Sequence, residues 1–181
     1  MRKVVVIYES MFGNTHLVAD AIAAGFGEAT AAEIVVVPVA EADQHLDLAD
    51  VIIVGGPTHA HGMSRDKTRK AAIDQARESA GEVDADPDAG GPGLREWFDT
   101  LGNVQASAAA FDTRFEAPAV LTGRASKGIA RELVRHGCTL IDDPQSFLVD
   151  KGNRLEPNQE ARARVWGAQL AARLEPATPR P

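Results

Sequence analysis

Apolar residues in this chain gather into five short runs, separated by longer stretches in which apolar positions recur every three or four residues. The first run, Val4, Val5, Val6, Ile7 and Tyr8, is β-branched and nearly unbroken, the pattern of a parallel strand covered on both faces. Over 16–26 the spacing turns helical, with Leu17, Val18, Ala21, Ile22 and Gly25 on one side. A break at 27–30 leads to a second strand over 33–38, so strand, helix and strand follow one another as a βαβ unit. Residues 39–49 read as irregular, with one helical turn at Leu46, Asp47 and Leu48. A third strand, Val51, Ile52, Ile53 and Val54, ends at Gly55 and Gly56, and 57–64 reads as a loop.

The second half repeats the alternation. Residues 65–80 predict an exposed helix, and 94–101 a helix whose Leu94, Trp97, Phe98 and Leu101 form a core face. A fourth strand of small residues spans 106–111 and runs out into a loop at 112–115. Residues 126–136 predict a helix closed by Gly137. Two pieces of a fifth strand follow, 138–141 and 146–149, interrupted by Asp142, Asp143 and Pro144. A final helix over 157–174 precedes a tail, 175–181, that contains three prolines. Strands alternating with helices predict an α/β, doubly wound, five-stranded parallel sheet with helices on both faces. One segment breaks the pattern: 81–93 carries Gly81, Pro87, Gly90, Gly91, Pro92 and Gly93, the composition of a flexible insertion, poorly ordered or lying over the site as a flap.

Composition narrows the picture. A chain of 181 residues suits one domain over 1–174, and 44% hydrophobic with 25% charged residues is ordinary for a soluble protein. No apolar run approaches the roughly 20 residues of a membrane span. The first strand starts at residue 3 or 4, which leaves no room for a signal peptide, so a cytoplasmic protein is expected. A net charge of −7 argues against nucleic acid as a partner; it is compatible with a carrier that docks on basic proteins, but most acidic proteins are simply soluble. The single cysteine, Cys138, excludes an internal disulfide and reads as a small core residue. Lys127, Arg131 and Arg135 recur at four-residue spacing, either as a solvated face or as a docking stripe.

The chemistry concentrates after the first strand. A strand that turns directly into a helix presents free N–H groups at its carboxyl end, and hydroxylated residues with a glycine let an anion sit against them. The turn Ser10-Met11-Phe12-Gly13-Asn14-Thr15 is therefore a phosphate cradle, or a polar turn in which Asn14 or Thr15 caps the helix. It lacks the lysine of a Walker loop and has one glycine where a dinucleotide fingerprint needs three.

This turn resembles the phosphate loop of flavodoxins, a hydroxyl-x-Thr-Gly-x-Thr pattern, with Phe12 where the family has its middle threonine. The order of the strands and of the loops after the third and fourth of them extends the resemblance over essentially the whole chain. It implies strand order 2-1-3-4-5 and a ligand at the switch point between the first and third strands. It implies FMN as the cofactor, its phosphate on the hydroxyls of Ser10 and Thr15 and on the backbone of Met11, Phe12, Gly13 and Asn14. The ring would be clasped first by Pro57, Thr58, His59, Ala60, His61 and Gly62, and on the other side by Phe111, Asp112, Thr113, Arg114 and Phe115. His61-Gly62 stands where a tryptophan-glycine pair is common, and Phe115 is the nearest aromatic to a missing tyrosine. Each lost aromatic face removes about 0.5–1.5 kcal/mol of stacking. Arg114 would either stabilise the negative charge of the reduced ring or be salt-bridged on the surface. His59 and His61 are too few for a metal site, and none is expected.

Two functions follow from the resemblance. One is an FMN electron carrier serving a redox protein partner; the other is an FMN-dependent reductase or dehydrogenase acting on a quinone or similar small-molecule electron acceptor. A third is a flavodoxin-like module without flavin. A monomer or weak homodimer is expected. The flavin would perform the chemistry, so no catalytic residue is required of the chain, and its sequence contains no triad.

Overall fold

A central parallel strand must pair its backbone on both edges and cover both of its faces with helices. In the computed structural model, which describes residues 1–59, 62–78, 85–118 and 122–174 (side chains of 75–78 excepted), β1 (Arg2–Tyr8) is that strand. It pairs in parallel with β2 (Ala32–Pro38) on one edge and with β3 (Val51–His59) on the other. β4 (Gly62–Met63) folds back antiparallel on the end of β3, Thr58 facing Met63 and His59 facing Gly62. β5 (Ser107–Phe115) lies beyond β3, and its outer edge is taken by β6 (Thr139–Leu140) near its start and β7 (Gln145–Val149) near its end. The order is β2-β1-β3-β5-β6/β7; leaving out the antiparallel β4 and counting β6 and β7 as one position, this is the expected 2-1-3-4-5 of a doubly wound sheet.

Alternate residues of β1 feed two cores. Val4, Val6 and Tyr8 pack with Val18, Ile22 and Phe26 of α1 (Asn14–Ala29) and with Trp166 and Leu170 of the last helix, Gln159–Leu174. Val5 and Ile7 pack on the other face with Leu94, Trp97 and Phe98 of a helix over Leu94–Thr100, and with Ile129 and Leu133 of one over Ala125–Arg135. Including α2 (Asp66–Glu78), these are α3, α4 and α5 in chain order: Leu94–Thr100, Ala125–Arg135 and Gln159–Leu174. Both tryptophans are core residues whose indole N–H groups reach carboxylates, Trp97 to Asp43 and Trp166 to Asp142, each at 2.8 Å. Cys138 is buried, and Gly137 ends α4 at a φ of 93°.

Three differences from the sequence reading have long-range causes. β3 runs on through Pro57, Thr58 and His59 because β4 pairs with it, and β5 runs on through Asp112–Phe115 because β7 pairs with Phe111 to Phe115. Both stretches read as loops when only local pattern was available. The helical turn expected at 46–48 lies instead at Val39–Gln44, where Val39 and Ala42 find burial. Over 85–93 the segment expected to be a loose insertion is packed: the Asp86 N–H bonds the Met11 carbonyl at 2.8 Å, and Ala89 is buried with Met11 and Ala72. Residues 81–84 of that segment lie outside the described residues.

α1 and α5 approach until their backbones touch. A β-carbon at Gly25 would overlap the Arg164 carbonyl, and one at Gly167 would overlap that of Ile22. Neither obstacle is a side chain that can swing away. Gly25→Ala should therefore cost at least about 1–3 kcal/mol, the range for forced overpacking, despite the helix propensity gained. Urea unfolding checks this; a midpoint equal to or above that of the parent would show that the helices separate freely.

Candidate functional site

The carboxyl ends of β1, β3 and β5 surround a cleft of about 390 Å³, within the range of small-molecule sites. One wall is the turn after β1. Gly13 adopts a left-handed φ of 83°, and a β-carbon there would meet nothing within 4 Å, so glycine is required by the backbone alone. The first internal bond of α1 runs from the Leu17 N–H to the Gly13 carbonyl at 2.9 Å. The amides of Asn14, Thr15 and His16 consequently have no backbone acceptor among the described residues. Neither Asn14 nor Thr15 caps α1 through its side chain: Asn14 donates to the Asn153 carbonyl at 2.7 Å, and the Thr15 hydroxyl meets that of Thr113 at 2.8 Å. The capping alternative is thus set aside, and the first turn of the helix stays open.

Most of the anticipated residues converge. Met11, Phe12, Asn14 and Thr15 line the cleft from the first turn, Pro57, Thr58 and His59 from β3, and Thr113, Arg114 and Phe115 from β5. Ala60 and His61 lie outside the described residues. Ser10 is buried beneath its own turn, where its hydroxyl accepts the Gly13 N–H at 3.0 Å. Gly62 is spent in the β4 pairing, and Gly13 shapes the turn without lining the cleft.

Phe111 and Asp112 are corrections. Strand alternation sends Phe111 into the core against Phe147 and Trp166, and it is fully buried. Asp112 points to the opposite layer, where its carboxylate accepts the Ser126 N–H at 2.7 Å in the first turn of α4. Burial pushes its pKa up, while that N–H, the nearby hydroxyls of Ser126 and Ser146, and the Arg114 charge pull it down. The two serine hydroxyls and the second carboxylate oxygen close no hydrogen bond of good geometry. Arg114 forms no salt bridge among the described residues, and it is not free: its Nη1 donates to the carbonyls of Phe115 at 3.2 Å and Ala117 at 2.7 Å, and to the Thr122 hydroxyl at 3.2 Å.

Thr122, Val149 and Asn153 also line the cleft and were missed. Asn153 had a local signal: Asp150-Lys151-Gly152-Asn153 is turn chemistry, and Asn153 takes a positive φ of 57°. Val149 and Thr122 had none, because strand pairing and the Arg114 bond bring them in. Outside the turn, Tyr8 stacks on His16 with centroids 4.2 Å apart and donates its hydroxyl to Asp88 at 2.9 Å; His16 lies 3.7 Å from Asp86. Burial and that acid raise the Tyr8 pKa well above the usual phenol range. No group of three metal-binding side chains occurs among the described residues. Nor is any of their helices long and apolar enough to cross a membrane.

No family model matches the chain, and no curated protein matches it. Solved structures do. Flavodoxin 1 from Bacillus cereus is 22% identical, with a TM-score of 0.65, over 96% of this chain and 99% of its own. A flavodoxin from the domain Archaea is 19% identical, with a TM-score of 0.61, over 94% and 96%. A WrbA-like flavodoxin from Agrobacterium tumefaciens is 20% identical, with a TM-score of 0.56, over 95% and 96%. The chain has the flavodoxin fold along essentially its whole length.

His59 yields a direct test of this geometry. Burial first, and the Arg69 charge second, hold its imidazole below the ordinary value of 6.5. The folded chain thus binds this proton less readily than the unfolded chain does, so the His59 contribution makes stability fall as pH drops below about 6.5 and towards the folded midpoint. An NMR titration should place the His59 midpoint below 6.5, and His59→Gln should flatten that part of the stability profile. A midpoint at or above 6.5 would mean that the ring is solvated.

Proposed function

We propose that this chain binds FMN in the cleft and uses it to transfer electrons. The observation that carries the reading is the open first turn of α1, three amides without a backbone acceptor among the described residues beside the Thr15 hydroxyl, at one end of a cleft with apolar walls. That donor set suits a phosphate, since amides and a helix end stabilise a dianion without a nearby lysine. Met11, Phe12, Pro57, Phe115 and Val149 supply surface for a planar ring. Bound FMN would supply the electron or hydride chemistry that side chains cannot.

The chain's own part is to hold and orient. A threonine hydroxyl has one proton to give and two lone pairs to receive. If Thr113 donates across the 2.8 Å bond, the Thr15 proton is left for the phosphate, and the loop after β1 is tied to the end of β5 by the same contact. A neutral His59 walls the cleft without adding charge. Phe12 and Phe115 stand in for part of the missing aromatic clasp, with Phe115 half exposed at the mouth.

The carrier reading, with a redox protein as partner, is the one we favour from the near-complete overlap with flavodoxins of similar length. A reductase acting on a small molecule is the second reading, favoured by the cationic rim described next. Bleaching of the bound flavin by NADPH without a mediator would favour the second.

Isothermal titration should show saturable binding of one FMN and much weaker binding of riboflavin. Thr15→Ala should weaken FMN by about 1.5–3 kcal/mol, the range for a hydrogen bond to a charged group. Thr113→Val should weaken it in the same direction by less, through the lost orientation of Thr15. Riboflavin binding as tightly as FMN would remove the phosphate from this loop.

A further inference from the structure

The far rim of the cleft, away from the first turn of α1, is cationic in an otherwise acidic protein. Arg114 binds the Thr122 hydroxyl, and Thr122 stands two residues before Arg124, the residue that enters α4. Arg124 forms no hydrogen bond or ion pair among the described residues, although it is half-buried and its Nε is shut away from solvent. The Nε of Arg114 is buried and unpartnered in the same way. Arg162 stands on α5 on the other side of β7, outside the cleft lining, its guanidinium 4.7 Å over the Phe147 ring and bonded to Gln159 at 2.8 Å and Gln145 at 3.4 Å. Burial first, then the charges of Arg114 and Arg124, lower its pKa, so each of those two acts on Arg162.

Arg69, Arg135, Arg154, Arg164 and Arg173 each meet a carboxylate. The three rim arginines, like Arg65, Arg95 and Arg131, meet none among the described residues, and two of the three carry a buried, unbonded Nε as well. Arg114 and Arg124 each keep a buried Nε–H unbonded among the described residues, and only Arg114 has a carboxylate, Asp112, within range of its charge; an oxyanion at their outer nitrogens would add the missing counter-charge. A guanidinium offers a planar fork matched to phosphate or carboxylate, which an ammonium lacks.

We propose that Arg124 and Arg114, with Arg162 across β7, form an oxyanion subsite on the rim of the cleft, which takes the phosphate or carboxylate of a small anionic molecule. Arg124 is its main ligand, because none of its donors is bonded among the described residues. Arg114 contributes the side of its guanidinium turned away from the carbonyls it already holds. Arg162 adds charge. As the seat of an electron donor or acceptor, the subsite rests on the flavin reading of the cleft; as an anion site it stands without it. In that role it selects a small anionic reactant and places it beside the ring.

The test uses the full chain saturated with FMN, so that the first turn of α1 is occupied. Inorganic phosphate, and separately citrate, is titrated while ¹⁵N spectra follow the Arg124 side chain and the backbone amides of 123–126. Saturable shifts there are expected, the tighter of the two probes identifying phosphate or carboxylate as the group preferred. Arg124→Gln should weaken that binding roughly tenfold or more. The side chain of Arg124 makes no cap bond to α4, so the variant should fold and bind FMN as the parent does. Lys127→Gln, one turn along the exposed face of α4, should change little. Absence of shifts at Arg124, or equal binding in Arg124→Gln with loss in Lys127→Gln, would overturn the subsite and leave the anion on surface charge. A chain that binds phosphate at Arg124 but never FMN would sink the flavin reading alone; one that binds FMN but neither probe would sink the subsite alone.

Discussion

β1 is paired on both edges and covered on both faces, and the rest of the molecule follows from that confinement. No polar side chain can be accommodated along Val4 to Ile7 without an unpaired buried group, so the first place where the chain can present chemistry is beyond Tyr8. The turn that follows must reverse into a helix lying back on the sheet, which exposes helix amides at the carboxyl edge of the strand. β3 and β5 run parallel to β1 and end on the same edge. A cleft at this edge is thus a consequence of the parallel arrangement before any functional residue is chosen.

What could be read from sequence was whatever depends on local periodicity. The runs at 4–8 and 51–54, the helical spacing after Gly13 and the split fifth strand were all visible, because each is a pattern within a few residues. What could not be read depends on a partner far along the chain. Pro57 to His59 and Asp112 to Phe115 are strand only because β4 and β7 come to pair with them. That pairing also fixes the face and height of each side chain: Phe111, Thr113 and Phe115 share one face, but Phe111 lies low enough to be covered by the core, whereas the last three residues of the strand, Thr113 to Phe115, reach the cleft. The segment 85–93 shows the same limit in another form. Its glycines, prolines and acids look incapable of burial, but Asp88 accepts the Tyr8 hydroxyl and Ala89 is small enough to fit beside Met11.

Two buried acids just behind the cleft have a shared structural logic. Glu9 accepts the Leu94 N–H at 2.8 Å in the first turn of α3, and Asp112 accepts the Ser126 N–H at 2.7 Å in that of α4. Glu9 just beyond β1 and Asp112 within the second half of β5 each hold the start of a helix in the same layer. Burial raises both pKa values, while N–H donation and neighbouring cations work against that rise. Arg69, 3.1 Å from Glu96 and near Glu9, is one of those cations. Such acids are weak as stabilisers and effective as locators, because a misplaced helix would strand the charge without a partner. They keep the strand ends at the spacing that the cleft requires.

The two ends of the cleft would attract anions by different physics. Around the first turn of α1 the nearby side chains are acidic: Asp86 and Asp20 flank His16, and Asp88 is bonded to Tyr8. A phosphate there would be held against that field by directed N–H and O–H donors, whose strength depends on alignment and little on distant charge. At the far rim Arg114, Arg124 and Arg162 have no carboxylate partner among the described residues, and attraction there is mainly charge. Mobile ions screen the second kind of attraction far more than the first, since a half-exposed guanidinium remains in contact with solvent. On the proposed reading, one end would hold a resident phosphate-bearing group and the other a transient anion, because directed donors retain a ligand where screened charge lets it exchange.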